Sequence, residues 1–233
     1  MAELVVALDL SDAGEALRLA DSLAGIVPWV KVGLELHSHA GPALLRPLKE
    51  RGFKVFLDLK MFDIPNTVSH AVRTAGASAD MLTIHTLGGE RMCRAALEAA
   101  GQCDSPPLIF GVTVLTSFAP GELPGYAGDL RELAADLAVK GRAWGLDGVV
   151  CSGHEAAAVK ARCGATFRCL TPGIRPAAAG DDDQRRVMTP AQAVQAGADY
   201  LVVGRPILRA PDPAAAARAI VEDMEHSAIR NPS

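Results

Sequence analysis

The 233-residue chain lacks the features of two large classes of protein. It has no excess of positive charge, because its formal net charge is −4 at pH 7, whereas general nucleic-acid binders are more often basic. It also has no apolar run that approaches the roughly 20 residues needed to cross a bilayer. We therefore expect neither a nucleic-acid partner nor a membrane partner, although a small anionic ligand is compatible with a locally positive site.

Cysteine and histidine give no sign of a cross-linked or metal-bound protein. The chain has five cysteines, an odd number, and no C-x-x-C pair, so neither a disulfide framework nor a zinc site is predicted. Its six histidines form no recognisable metal motif. No basic segment followed by a long apolar one stands near the first residue, as it would in a signal peptide. These absences predict a cytoplasmic protein without a bound metal.

The sequence does contain a regular alternation of two patterns. Eight short apolar runs are typical of strands: Leu4–Leu8, Trp29–Gly33, Lys54–Leu57, Met81–Ile84, Leu108–Val112, Gly148–Val150, Phe167–Leu170 and Tyr200–Val203. Each run precedes a helical pattern: Ala13–Leu23, Ala43–Arg51, Thr67–Ala77, Arg91–Ala100, Leu130–Arg142, Glu155–Arg162, Pro190–Ala196 and Pro213–Glu225. Near-continuous apolar strands are buried on both sides, as in parallel sheets.

Eight consecutive βα units predict an α/β fold, namely a (β/α)8 TIM barrel that spans residues 1–233 as a single domain. A doubly wound open sheet is the alternative. The even spacing of eight units and the absence of G-x-G-x-x-G after the first strand disfavour it.

Charged residues cluster at the predicted carboxyl ends of the first three strands. Strand one ends at Asp9, Lys31 lies in strand two, strand three ends in Asp58-Leu59-Lys60, and Asp63 lies beyond it. This end of a barrel carries the active site, and the two-residue period of a strand points Asp58 and Lys60 to the same side. A structural ring of salt bridges could explain each residue alone, but the group at this face favours a reaction centre. A lysine between carboxylates keeps its charge, which suits Lys60 to donate a proton rather than to form a Schiff base.

A second group of residues is typical of a phosphate site. Gly204 and Arg205 follow strand eight, and the long loop of residues 172–190 after strand seven contains Arg175 and Gln184. The loops after strands seven and eight are the usual phosphate site of such barrels. Glycine lets backbone N–H groups approach a phosphate, and arginine can bind one with two hydrogen bonds. The alternative for the long loop is a solvated segment without a ligand.

A third segment, residues 112–117 after strand five, carries threonine and serine hydroxyls. Such a hydroxyl can bond the polar edge of a ring, and Thr116 is the candidate. This signal is weak by itself, because threonine is also favoured in strands.

Together these motifs resemble the orotidine 5′-phosphate decarboxylase family, in its bacterial branch. The main signature is Asp58-Leu59-Lys60-Met61-Phe62-Asp63-Ile64-Pro65-Asn66-Thr67, and the segments at residues 6–9, 30–33, 112–117, 172–175, 183–186 and 203–205 recur in the same order. The resemblance implies a cofactor-free enzyme that removes CO2 from C6 of orotidine 5′-phosphate and forms UMP in pyrimidine biosynthesis.

The resemblance also implies a role for each matched residue. Lys60 would protonate C6, Asp58 would face the departing carboxylate, and Asp63 would enter the site from the other subunit of a homodimer. Lys31 would order the charged network and also bind the substrate. The further substrate contacts would come from Asp9 to the ribose, from Thr116 to the pyrimidine, from Thr67 of the other subunit, and from Arg175, Gln184, Gly204 and Arg205 to the phosphate.

Two other functions remain open at this point. The keto-gulonate-phosphate decarboxylase and hexulose-phosphate synthase group is similar in its D-x-K-x-x-D strand, but it uses Mg²⁺ and has a glutamate ligand where Lys31 stands here. A non-catalytic sensor of a phosphorylated ligand is the second alternative, although such a protein would not need the cluster of acids and lysines.

Overall fold

The computed structural model describes residues 1–176 and 188–229. Within them, eight parallel strands form a closed barrel in which each strand pairs with the next and β8 pairs with β1. The strands are β1 (Glu3–Ala7), β2 (Trp29–Gly33), β3 (Lys54–Met61), β4 (Met81–His85), β5 (Leu108–Val112), β6 (Gly148–Val150), β7 (Arg168–Thr171) and β8 (Tyr200–Val203). The predicted (β/α)8 barrel is therefore confirmed.

Helices surround this barrel. They are α1 (Ala13–Leu23), α2 (Leu34–Ala40), α3 (Leu45–Glu50), α4 (Pro65–Gly76), α5 (Gly89–Ala100), α6 (Leu130–Trp144), α7 (Gly153–Cys163), α8 (Pro190–Gln195), α9 (Arg205–Leu208) and α10 (Pro213–Ile229), with short 3₁₀ turns at Pro42–Leu44 and Thr86–Gly88. None of the helices in residues 1–176 and 188–229 combines the length and the apolar character that a membrane span requires.

Several element ends differ from the prediction by up to four residues, such as α10, which continues to Ile229 instead of ending at Glu225, and three further differences stand out. Strand β3 continues to Met61 instead of ending at Leu57. The second helical region consists of α2 and α3 instead of one helix at 43–51, because Gly41 adopts a φ of 67° and interrupts the helix. Helix α9 was not predicted, since four residues are too few for a periodic pattern.

The interior of the barrel is filled by large buried side chains. Trp29, Phe56, Phe110 and Tyr200 belong to one buried interior cluster, and the ring of Tyr200 meets the rings of Trp29 and Phe110 edge-on at 5.7 and 5.8 Å. A barrel interior filled in this way is a packed core rather than a channel. Polar inward-facing side chains are consequently concentrated at the carboxyl ends of the strands.

Three aspartates occupy equivalent positions at the opposite face of the barrel, where the strands begin. Each one stands immediately before an even-numbered strand and accepts a hydrogen bond from the second residue of the preceding odd-numbered strand. The pairs are Val55 N to Asp80 (2.8 Å), Ile109 N to Asp147 (2.8 Å) and Cys169 N to Asp199 (2.7 Å). A partly buried backbone N–H that would otherwise lack an acceptor is satisfied each time, so these contacts join neighbouring strands at the amino-terminal face.

Candidate active site

A continuous chain of charges crosses the mouth of the barrel. Lys31 Nζ lies 2.8 Å from Oδ1 of Asp9 and 3.9 Å from Oδ2 of Asp58, and Lys60 Nζ lies 2.6 Å from the same Oδ2. The order is therefore Asp9, Lys31, Asp58, Lys60, with acids and lysines alternating. The structure brings together the four residues that the sequence placed at adjacent strand ends.

Burial differs along this chain of charges. The side chains of Lys31 and Asp58 are each only 10% exposed, whereas that of Lys60 is 37% exposed. Charged groups are seldom buried this far unless they are paired. The arrangement leaves the ammonium group of Lys60 at the opening, with a buried carboxylate directly behind it.

Strand β3 contains a bulge at this point. Leu57 pairs with Leu82 and Met61 pairs with Ile84, so β3 has two more residues than β4 over the same interval. Lys60 has a φ of 49°, and no other non-glycine residue in the described ranges has a positive φ. This left-handed conformation costs a side-chain-bearing residue about 1–2 kcal/mol. Bulges are enriched beside active sites, where they redirect a side chain.

Thr83 links Asp58 and Lys60. Its hydroxyl donates to Oδ1 of Asp58 at 2.8 Å and accepts from the backbone N–H of Lys60 at 3.0 Å. Sequence reasoning missed Thr83, although the signal was present. Thr83 stands two residues after the inward-facing Met81, and the period of the strand turns it inward as well.

The electrostatics of the cluster keep Asp58 ionised. Burial by itself would raise the pKa of the carboxyl group, but the ammonium groups of Lys60 and Lys31, together with hydrogen bonds from Lys60 and Thr83, outweigh burial. The pKa of Asp58 therefore lies below the ordinary aspartate value. Asp58 is a fixed negative charge in a weakly solvated position.

His85 ends β4 beside this cluster. Burial lowers the pKa of its imidazole, and the positive charge of Lys60 lowers it further, while Asp58 opposes the change. The ring lies 5.6 Å from that of Phe62, tilted by 41°. These surroundings favour a neutral imidazole next to the ammonium group of Lys60.

Asp63 does not join the cluster within one chain. Within the described residues its carboxylate contacts its own neighbour, since Oδ1 accepts from the backbone N–H of Ile64 at 2.6 Å. Asp63 is exposed, and so is Thr67 in the first turn of α4. Ile64, which precedes Pro65, is extended with a ψ of 150°, as the proline predicts. Asp63 and Thr67 are therefore both accessible from outside the barrel.

The proposed phosphate residues lie at the same end of the barrel. Gly204 lies beside the charged cluster, because a Cβ atom built on it would be 3.5 Å from Oδ2 of Asp9. Arg205 follows as the first residue of α9. Arg175 lies after β7, where its backbone N–H donates to the carbonyl of Met188 at 3.0 Å. Gln184 lies outside the described residues.

Thr116 lies in the loop that follows β5, next to Leu115, which packs against the interior cluster of the barrel. The loop therefore begins at the rim of the mouth. Thr116 is partly exposed there, on the side of the barrel that carries the charged residues.

Comparison with known proteins agrees with this geometry. A family model described as "Orotidine 5'-phosphate decarboxylase / HUMPS family" matches residues 2–220. The chain belongs to this family. A protein of Nitratidesulfovibrio vulgaris (strain DP4) named orotidine 5′-phosphate decarboxylase is 63% identical over 230 residues, which cover 96% of this chain and 98% of that protein. A protein of the same name from Lawsonia intracellularis is 52% identical, with 96% and 98% covered.

A solved structure supports the family membership independently. The crystal structure of orotidine 5′-phosphate decarboxylase from Lactobacillus acidophilus superimposes with a TM-score of 0.86 at 34% sequence identity, covering 96% of this chain and 99% of that one. The family thus shares the closed barrel as well as the sequence.

Proposed function

We propose that the chain decarboxylates orotidine 5′-phosphate to UMP, a step of pyrimidine biosynthesis, without a metal or organic cofactor. The observation that carries the proposal is the contact between Lys60 and the buried carboxylate of Asp58, 2.6 Å apart at the mouth of the barrel. A proton donor and a fixed negative charge meet there at one point. The names of the relatives supply the substrate.

The proposed reaction has a very high barrier without a catalyst. When CO2 leaves, the electron pair of the broken C–C bond stays on C6 of the pyrimidine, where no cofactor accepts it. We expect the enzyme to lower the barrier by roughly 20 kcal/mol or more. The ammonium group of Lys60 stabilises the developing negative charge and then transfers a proton to C6, and solvent returns the proton to Lys60.

Asp58 is suited to act on the departing group. Its lowered pKa keeps it negatively charged, so a substrate carboxylate next to it is repelled, and this repulsion ends as CO2 leaves. An interaction that is more favourable in the transition state than in the bound substrate raises kcat. Lys31, buried between Asp9 and Asp58, orders the network and, with Asp9, binds the ribose hydroxyls.

Substrate contacts further from C6 complete the proposal. We assign the phosphate to Arg175, Gln184, Gly204 and Arg205, and the edge of the pyrimidine to Thr116. Binding energy from these remote groups offsets the cost of holding the substrate carboxylate against Asp58.

We further propose a homodimer with shared sites. Four large apolar side chains are exposed where β2, β3 and β4 end. Phe62 (62% exposed) and Ile64 (66%) flank Asp63 in the chain, while Leu34 (65%) follows β2 and Leu87 (44%) follows β4. A cluster of exposed apolar side chains marks an interaction surface. A two-fold axis through this surface would bury it on both subunits and would bring Asp63 and Thr67 of each subunit to the other's mouth.

Lys31 distinguishes the proposal from the metal-dependent members of the family. The Mg²⁺-dependent group has a carboxylate ligand at this position, whereas a charged ammonium group has no lone pair for a metal. Here that ammonium group is buried and paired with Asp9 at 2.8 Å. The buried charge pair of Lys31 and Asp58 also disfavours a non-catalytic sensor, which would have no use for it.

One assay separates these functions. The purified protein is incubated with orotidine 5′-phosphate and excess EDTA, and the loss of substrate absorbance and the appearance of UMP are followed. We expect turnover that is the same with and without EDTA. Loss of turnover in EDTA would favour the Mg²⁺-dependent group, and ligand binding without UMP formation would favour a sensor.

A further inference from the structure

Thr83 lies at the centre of the charged cluster without carrying a charge. It is fully buried in β4, and its side chain points into the barrel towards β3. A hydroxyl group has one proton to donate and lone pairs to accept. Thr83 uses the proton on Oδ1 of Asp58 and a lone pair on the backbone N–H of Lys60, so a single hydroxyl group contacts both residues of the ion pair.

The contact with Lys60 replaces a missing backbone hydrogen bond. The two extra residues of β3 break the regular ladder between Leu57 and Met61, and the N–H of Lys60 is directed to the Thr83 hydroxyl instead of to a carbonyl of β4. A buried N–H without an acceptor is unfavourable. The hydroxyl therefore stabilises the left-handed backbone that directs the side chain of Lys60.

The contact with Asp58 fixes the plane of the carboxylate. Oδ1 receives the hydrogen bond from Thr83, which leaves Oδ2 facing both ammonium groups, at 2.6 Å from Lys60 and 3.9 Å from Lys31. Without the Thr83 hydroxyl, the carboxylate could rotate and exchange its two oxygens. The direction of the negative charge would then no longer be fixed.

We propose that Thr83 is a positioning residue for the decarboxylation. It acts through Asp58 and Lys60, by holding the carboxylate of one and the backbone of the other in the orientation that the reaction needs. This inference rests on the proposed function, because the role of Thr83 has meaning only if Asp58 and Lys60 carry the chemistry.

The test compares substitutions that separate the hydroxyl from its volume. Thr83→Val keeps the shape and removes both hydrogen bonds, whereas Thr83→Ser keeps the hydroxyl. We expect Thr83→Val to lower kcat on the order of tenfold to a hundredfold, as small misplacements of catalytic groups do, with little change in KM. Thr83→Ser should retain kcat within about threefold.

Thr86→Val is the matched control. Thr86 is as buried as Thr83 and lies three residues further on, but its hydroxyl has no hydrogen-bond partner in the described structure. Its removal should leave kcat unchanged. In Thr83→Val the acid limb of the pH profile of kcat/KM should also move to higher pH, because the hydrogen bond from Thr83 lowers the pKa of Asp58. A general loss of packing would not produce that shift.

Crystal structures of wild type and variant make the result independent of turnover. In Thr83→Val, or in Thr83→Ala if the valine variant does not fold, we expect the contact between Lys60 and Asp58 to lengthen and the φ of Lys60 to change. If the wild type does not decarboxylate orotidine 5′-phosphate, the proposed function fails, and the structures then test only whether Thr83 holds Asp58 and Lys60 in place. A variant with unchanged geometry, or with wild-type kcat where the wild type is active, overturns the inference.

Discussion

The ammonium nitrogen of Lys60 lies 2.6 Å from Oδ2 of Asp58, and the backbone that joins the two residues leaves strand geometry at Lys60, where φ is 49°. Hydrogen bonds between two charged groups are short and strong, so this contact orients the lysine side chain before a substrate arrives. The proton donor is then held next to the charge that faces the leaving group.

Lys60→Ala should remove turnover and leave ligand binding largely intact. We expect kcat to fall by about a thousandfold or more, since both the proton and the electrostatic stabilisation are lost. The affinity for UMP, measured by calorimetry, should change much less. Lys54→Ala is the control, because Lys54 is an exposed lysine at the other end of the same strand. A kcat within tenfold of wild type would contradict the role of Lys60.

Arg205→Ala should weaken ligand binding rather than remove turnover. If Arg205 binds the phosphate, removal of its charge-assisted hydrogen bonds should cost about 1.5–3 kcal/mol of binding, which appears as weaker affinity for UMP and a higher KM. Arg209→Ala is the control, since Arg209 is an exposed arginine at the end of the same short helix. Equal UMP affinities for Arg205→Ala and wild type would exclude Arg205 from the phosphate site.

Mixed dimers should show whether the sites are shared. Homodimers of Lys60→Ala and of Asp63→Ala should both be nearly inactive. After subunit exchange, half of the dimers are mixed, and each mixed dimer contains one site with both residues intact, so about a quarter of all sites should recover. Mass spectrometry confirms exchange.

The control mixes Lys60→Ala with Asp58→Ala. Both of these residues come from the same chain, so every site of a mixed dimer still lacks one of them. No recovery is expected in this control. Exchange of Lys60→Ala with Asp63→Ala without any gain in activity would rule out the shared site.

The lowered pKa of His85 should appear in the pH dependence of stability. Because burial lowers the folded-state pKa below 6.5, the unfolded chain binds the proton more readily, and the free energy of unfolding must fall as the pH drops below that value. His85→Gln should flatten this part of the curve of melting temperature against pH. His154→Gln, at an exposed histidine of α7, should leave the curve unchanged; an equal effect of both substitutions would refute the assignment.

Asp147→Ala should reduce stability without affecting catalysis. It leaves the N–H of Ile109 without its acceptor, at a cost of about 1–3 kcal/mol in the free energy of unfolding. Asp147→Asn keeps a carbonyl oxygen and should cost less. Asp104→Ala, in an exposed loop, is the control. A change in kcat would show that the two faces of the barrel are coupled.

The barrel was predictable because strands that are buried on both faces appear in the sequence as continuous apolar runs. Each strand of a closed parallel sheet needs apolar residues on both faces, and all eight such runs were recognised. Short helices leave a weaker record. Helix α2, with the sequence LELHSHA, shows one buried residue, Leu36, which is too little for a periodic pattern to be read.

The sequence predicted which charged residues meet at the candidate site, but not the backbone conformation that brings them together. Asp58 and Lys60 were placed on one side of a regular strand, and they do meet, but through a bulge that their ordinary alternation does not reveal. Thr83 escaped notice because a threonine in a strand needs no special explanation. The partner of Asp63 depends on a second chain, which one sequence cannot position.

The two extra residues of β3 have an arithmetic consequence. Side chains of a strand alternate with a period of two, so an even insertion restores the original phase, whereas an odd one would invert every later side chain. Leu59 and Met61 pack against the outer core, while Lys60 turns inward to Asp58, and the alternation survives the bulge. Strand β3 can therefore be lengthened at the rim of the barrel in steps of two residues without exchanging its inward-facing and outward-facing positions.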